Sequence, residues 1–120
     1  MTPRITIITI CYNAASCIER TLRSVAAQTY PHIEYLIIDG ASKDATLQLV
    51  AELAPQAKVY SEPDKGIYDA MNKGRARATG DYLWYLNAGD ALPSADTVAE
   101  LVAASCADSL PDIIYGDTRL

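Results

Sequence analysis

Ile5-Thr6-Ile7-Ile8-Thr9-Ile10 is an unbroken run of β-branched residues that ends at Cys11 and the polar pair Tyr12-Asn13. A strand with one wet face alternates polar and apolar side chains. This one does not, so it reads as a strand covered on both faces, as in a parallel sheet flanked by helices. Outward from it, Ile18, Leu22, Val25 and Ala26 recur at helical spacing until Tyr30-Pro31 stops them. Tyr35-Leu36-Ile37-Ile38 is a second strand, ending at Asp39-Gly40, and Leu49, Val50 and Leu53 form the next helical stripe. Lys58-Val59-Tyr60-Ser61 is a weaker third strand, followed by a helix over about 67–78 that Gly80 closes near its C-cap. Tyr82-Leu83-Trp84-Tyr85-Leu86 is a fourth strand. Pro93-Ser94 starts another helix, with Ser94 as N-cap and Val98, Leu101 and Val102 facing inward, and Asp112-Ile113-Ile114-Tyr115 is a fifth strand. Strict alternation of strand and helix predicts a three-layer α/β/α domain around a mainly parallel, Rossmann-like sheet. Ligands of such sheets sit at the carboxyl ends of the strands, and those ends carry Asn13, Asp39, Asp64 and Asp90 in turn.

Composition narrows the function classes. At 120 residues the chain is expected to be one domain, 1–120. It is 50% hydrophobic and 21% charged, values of a soluble globular protein rather than a disordered one. Ten basic against 15 acidic side chains give a net charge of -5, which repels nucleic acid and anionic membranes, so a phosphate ligand must be held by local donors or a bridging metal. Cys11, Cys17 and Cys106 form no CxxC pair, which argues against a disulfide framework or structural zinc and fits a reducing cytoplasm. His32, the single histidine, reads as a surface or structural residue. Ala14-Ala15-Ser16-Cys17 faintly resembles a lipoprotein cleavage site, but Ile5–Ile10 is too short for a signal peptide, and no apolar run approaches the roughly 20 residues of a membrane span.

Three segments carry candidate chemistry. Asp39 ends an apolar strand beside Gly40, where a carboxylate can accept the imide N–H of uracil or thymine, a contact adenine does not offer; equally, it can cap the coming helix. Asn87-Ala88-Gly89-Asp90 follows the most aromatic strand, and a carboxylate there can hold a divalent cation bridging two phosphates, while the small residues admit the ligand; the plain alternative is a turn before a helix. In Glu62-Pro63-Asp64-Lys65-Gly66, at a helix start, Asp64 and Lys65 are within plausible reach of ribose or phosphate and Asp69 of a sugar. Lys73 and Arg75 are expected on a solvated face, and a capped surface helix is the competing reading.

Taken in order, Ile7 to Asn13, Ile37-Ile38-Asp39-Gly40-Ala41-Ser42-Lys43-Asp44-Ala45-Thr46, Asp64-Lys65-Gly66 through Gly74, and Ala78-Thr79-Gly80-Asp81-Tyr82 through Asp90 resemble the family 2 glycosyltransferases of the GT-A fold. The resemblance implies a nucleotide pocket lined by Cys11, Tyr12 and Asn13, with Asp39 on the base, supported by Gly40, Asp64, Lys65 and Gly66. It places Asn87, Ala88, Gly89 and Asp90 where the family has its DxD metal motif, with Mg2+ or Mn2+ at Asp90. Asp69, Met71 and Asn72 fall in the sugar and phosphate region. Three departures stand out: Gly40 follows Asp39 where a second acidic residue is common, Asn87 and Gly89 replace two carboxylates of the metal motif, and Met71 stands where an arginine is common.

The expected activity is inverting transfer of a sugar, UDP-linked, to an acceptor hydroxyl on a carbohydrate or lipid-linked acceptor in cell-surface polysaccharide or glycolipid synthesis. Members of that family resemble longer chains, so the acceptor half and the general base are expected beyond Leu120, with no catalytic residue in this chain, and surface meant for that half is expected to favour a homodimer. A phospho-accepting receiver domain needs an acidic pair after the first strand and a lysine after the last; Tyr12-Asn13 and Gly116-Asp117 supply neither. Gly40-Ala41-Ser42-Lys43-Asp44 is not GxGxxG, which argues against a dinucleotide fold. A non-catalytic nucleotide-sugar-binding module remains open.

Overall fold

The computed structural model describes residues 3–105 and 113–115. Its strands are β1 (Ile5–Cys11), β2 (Ile33–Asp39), β3 (Lys58–Ser61), β4 (Tyr82–Tyr85) and β5 (Ile113–Tyr115), in the sheet order β3-β2-β1-β4-β5. Every pairing is parallel. Between them lie α1 (Ile18–Ala26), α2 (Thr46–Leu53), α3 (Ile67–Arg77) and α4 (Thr97–Ser105). The predicted α/β/α layering is therefore present.

β1 is central, and its run of β-branched residues explains why. Ile5, Ile7 and Cys11 pack with Leu22 and Val25 of α1, Val50 of α2 and Val98 of α4. Ile8 turns the other way, joining Leu36, Ile38 and Ala70 of α3. Both faces are thus dry, and each fully buried Ile or Leu contributes about 2 kcal/mol. The two threonines of the run are buried without being orphaned: Thr6 Oγ1 donates to Glu34 Oε1 at 2.8 Å, and Thr9 Oγ1 shares a 2.7 Å hydrogen bond with the Tyr35 hydroxyl. α3 lies unusually close to the sheet, because a β-carbon on Gly74 would sit 2.7 Å from Cγ2 of Ile8. Only glycine permits that approach.

At the amino end of the sheet Glu34 is buried among donors. It accepts hydrogen bonds from Thr6, from the backbone N–H and hydroxyl of Thr79 at 2.8 Å each, and from Lys58 Nζ at 3.1 Å, with Arg4 at 3.6 Å. Burial alone would raise its pKa, but the bonds from Thr79, Thr6 and Lys58 prevail and lower it to about 2.

The chain departs from the sequence reading at two helix ends. α4 begins at Thr97, not at Pro93-Ser94: the Ser94 carbonyl accepts the Thr97 N–H at 3.3 Å and its hydroxyl accepts the Asp96 N–H at 3.2 Å, so the serine builds a turn before the helix. α3 ends because Ala78 is extended (φ -70, ψ 138), and Gly80 instead donates its N–H to Thr6 Oγ1 at 2.9 Å, docking the chain onto β1. Cys106, Asp112 and Gly116-Asp117 lie outside the described residues.

Candidate functional site

From β1 the chain proceeds outward to β2 and β3, then returns to place β4 and β5 on the other side of β1. Ligands of open α/β sheets bind where the order reverses in this way. Beyond β4 the chain still follows β1, with the N–H groups of Leu86 and Ala88 donating to the carbonyls of Ile8 and Ile10 at 2.9 and 3.4 Å, so both strand ends reach the same rim. A cleft of about 430 Å3 opens there. Of the predicted site residues, Cys11, Tyr12, Asn13, Asp64, Gly66, Asn87 and Ala88 line it.

Its β2 wall is tightly bonded. Asn13 N–H donates to Ser42 Oγ at 2.8 Å while Asn13 Oδ1 accepts the Lys43 N–H at 2.8 Å. The Ala14 N–H donates to Thr46 Oγ1 at 2.8 Å and the Ala15 N–H to Asp44 at 3.1 Å. Asp44 also accepts from the Thr46 hydroxyl and N–H, which hold its carboxyl below the usual range. Two non-glycine residues, Asn13 at φ 47 and Ala41 at φ 64, take left-handed backbone to make these bonds.

Asp39 belongs to this wall and not to the cleft. It is 1% exposed. It accepts from the Ser42 N–H and the Ser61 hydroxyl at 2.8 Å each, from the Ser42 hydroxyl, and from the Cys11 thiol at 3.4 Å. Register explains this: Cys11, Asp39 and Ser61 are strand neighbours, so their side chains leave the sheet in one row. Burial, then the Asp39 charge, push the Cys11 thiol pKa up and keep it a donor. The expected direct contact of Asp39 with a base is therefore corrected, because its oxygens are engaged beneath the surface by protein donors.

On the opposite side, the Asn87-to-Asp90 loop is fixed to α1. Thr21 Oγ1 accepts the Gly89 N–H at 2.9 Å and donates to the Asp90 carbonyl at 2.5 Å, and Ser24 Oγ accepts the Leu92 N–H at 3.1 Å. The Asp90 side chain is only partly buried and takes no hydrogen bond from the described residues. No group of three or more His, Cys, Asp or Glu that could hold a metal occurs among the described residues. Gly40, Gly89 and Asp90 do not line the cleft, and a lone carboxylate at Asp90 would need oxygens from a ligand to complete the coordination of a divalent ion.

The third wall is the start of α3. Asp64 Oδ1 accepts the Gly66 N–H at 3.1 Å. Asp69 is turned back on the Lys65 N–H at 2.9 Å and on Lys73 at 3.4 Å, contacts that lower its pKa, and it does not line the cleft. Lys65, Met71 and Asn72 are likewise outside the lining, and the Met71 carbonyl accepts the Tyr85 hydroxyl at 3.4 Å. Lys73, expected on a solvated face, instead clamps the loop: its ammonium meets the Pro63 carbonyl at 2.9 Å, Glu62 at 3.2 Å and Asp69. Arg75 is exposed as expected.

Sequence reasoning passed over Cys17 and Ile67, which also line the cleft. Cys17 is an exposed thiol 3.7 Å from the position of a β-carbon on Gly89. The signal for Ile67 was an apolar residue at a helix start, outside any buried stripe; it is 50% exposed beside Tyr68 at 79%.

An open parallel sheet with a cleft at the carboxyl ends of its central strands, walled by strand-end loops and a helix start, is the arrangement of a ligand-binding α/β domain. Residues 6–117 match the family described as Glycosyl transferase family 2, and the chain belongs to that family. An uncharacterized glycosyltransferase of Mycobacterium tuberculosis is 42% identical over 104 residues, covering 85% of this chain and 40% of that protein. A PGL/p-HBAD biosynthesis glycosyltransferase of the same species is 37% identical over 119 residues, covering 96% of this chain and 46% of that protein. This chain thus spans less than half the length of either relative. Among solved structures, the mannosyltransferase PcManGT of Pyrobaculum calidifontis, in complex with GDP-Man and Mn2+, superposes with a TM-score of 0.80 at 32% identity, over 91% of this chain and 34% of that one. The fold is that of the GT-A glycosyltransferases.

Proposed function

We propose that this chain is the donor-binding part of an inverting glycosyltransferase, and that the cleft at the carboxyl ends of β1 and β4 receives a nucleoside-diphosphate sugar, UDP-linked. The observation that carries the reading is the position of that cleft within a chain matching the family over residues 6–117. Tyr12, 60% exposed, offers a ring face to the base. The bonded loops at Asn13 and Ser42 hold that wall rigid, so little ordering is needed when ligand enters. Asn87 and Ala88 border the phosphate side of the cleft, and Asp90, in the loop that follows them, is the residue that would hold Mg2+ or Mn2+. A divalent ion there supplies charge neutralisation for the departing nucleoside diphosphate.

The reaction is displacement at the anomeric carbon by an acceptor hydroxyl, with inversion. Its general base and acceptor site are assigned to the portion that accounts for the rest of the relatives' length. The acceptor in this proposal is carbohydrate or lipid-linked, and the relative named for PGL/p-HBAD biosynthesis supports a biosynthetic setting. Among the described residues no helix is long and apolar enough to cross a membrane. A cytoplasmic setting and a homodimer belong to the proposal on the reasoning from thiol usage and uncovered apolar surface.

Calorimetry tests the site. UDP is expected to bind the chain more tightly with Mn2+ than without, and Asp90→Ala to remove that gain, about tenfold for one charged contact. Absence of any nucleoside-diphosphate binding, or an undiminished Mn2+ effect in Asp90→Ala, overturns the proposal.

A further inference from the structure

Gly40 is more than a turn residue. A β-carbon built on it would lie 2.9 Å from Oδ2 of Asp64 and 3.3 Å from Cδ1 of Tyr12. Asp64 and the Tyr12 ring therefore meet over bare backbone at the end of β2, in space that any other residue at 40 would fill. Both line the cleft. Asp64 Oδ1 is occupied by the Gly66 N–H at 3.1 Å, and Oδ2 has no hydrogen-bond donor among the described residues. An aromatic face and an open carboxylate oxygen side by side form a wedge for a flat ring with an N–H on its edge. Asp39, one residue before Gly40, cannot serve, since Ser42, Ser61 and Cys11 already occupy it.

We propose that Asp64 is the base-reading residue, accepting a ring N–H of uracil or guanine while Tyr12 stacks on the base, and that Gly40 exists to admit its carboxylate. The inference rests on the nucleotide reading of the cleft and adds its specificity. Uracil carries N3–H and guanine N1–H, which an oxygen accepts. Cytosine and adenine present a bare nitrogen at the corresponding edge, which a carboxylate repels. The carboxylate that reads the base thus comes from the loop before α3, across the cleft floor from β2.

The test is calorimetry of the chain with UDP, GDP, CDP and ADP in Mn2+. The unsubstituted chain is expected to favour UDP or GDP over CDP and ADP by about tenfold or more, and which of the two leads identifies the base. In Asp64→Asn the amide oxygen keeps the Gly66 N–H and the NH2 takes the place of Oδ2, turning an acceptor into a donor. That variant is expected to lose the preference and shift toward CDP. Gly40→Ala reaches the same end with Asp64 intact, because its methyl displaces the carboxylate. If both variants keep the original ratios while still binding, Asp64 does not read the base and this inference alone falls. If the unsubstituted chain binds none of the four, the nucleotide reading falls and takes the inference with it.

Discussion

The two ends of the sheet both gather carboxylates and use them differently. At the amino end, Glu34 is enclosed by Thr6, Thr79, Lys58 and Arg4, and its pKa is lowered to about 2. At the carboxyl end Asp39 is equally buried but is met only by neutral donors, while Asp64 and Asp90 keep oxygens that no donor among the described residues meets. Where every lone pair is satisfied from within, a carboxylate fastens elements together. Where one is left open at a switch point, it is available to a ligand. The contrast separates stability from binding within one small sheet.

Breaking the amino end should cost most. Glu34→Ala strands the buried Thr6 hydroxyl and frees the Thr79 loop, and is expected to destabilise the chain by about 3 kcal/mol, read as a lower urea midpoint. Its pH signature follows from the lowered pKa. Since the folded form ionises at about 2 against an ordinary 4.5, the contribution is complete above pH 4.5 and disappears as pH falls toward 2. Glu34→Gln should flatten stability across that window, and an unchanged acid titration would show that Glu34 is not the staple. Next in size, Asp39→Asn exchanges an acceptor for a donor facing the Ser42 and Ser61 donors and should cost about 2 kcal/mol. UDP affinity should fall with it, yet the ratio of UDP to CDP binding should hold, because Asp39 braces the site without touching the base. A changed ratio would move Asp39 into the cleft. The smallest effect is a gain. Ala41 sits at φ 64, so Ala41→Gly relieves left-handed strain that exceeds the added entropy of an unfolded glycine, raising stability by up to about 1 kcal/mol in thermal melts.

Much of this architecture was legible in the chain. Ile5 to Ile10 announced a doubly covered strand, and the alternation that followed placed Asn13, Asp39, Asp64 and Asp90 at one rim. The roles of those residues were less accessible, because a role depends on neighbours distant in sequence. Nothing local to Asp39 says that Ser61 and Cys11 flank it; that is a property of strand register. Lys73 looked solvated because its stripe is polar, whereas its partners Glu62 and Pro63 come from the preceding loop folding back. Pro93-Ser94 carries the chemistry of a helix start and of a turn alike, and the turn won when Ser94 bonded to Asp96 and Thr97.

The order β3-β2-β1-β4-β5 also governs how such a chain comes into being. Of the five strands β1 is made first, yet it ends in the middle, and Ile5 must wait for Tyr82 before its second edge is closed. Until then a strand of almost pure isoleucine and threonine presents an open flank able to pair with a stranger. Early capture of that flank by β2 halves the hazard, and late arrival of β4 makes closure the slow, non-local step of assembly.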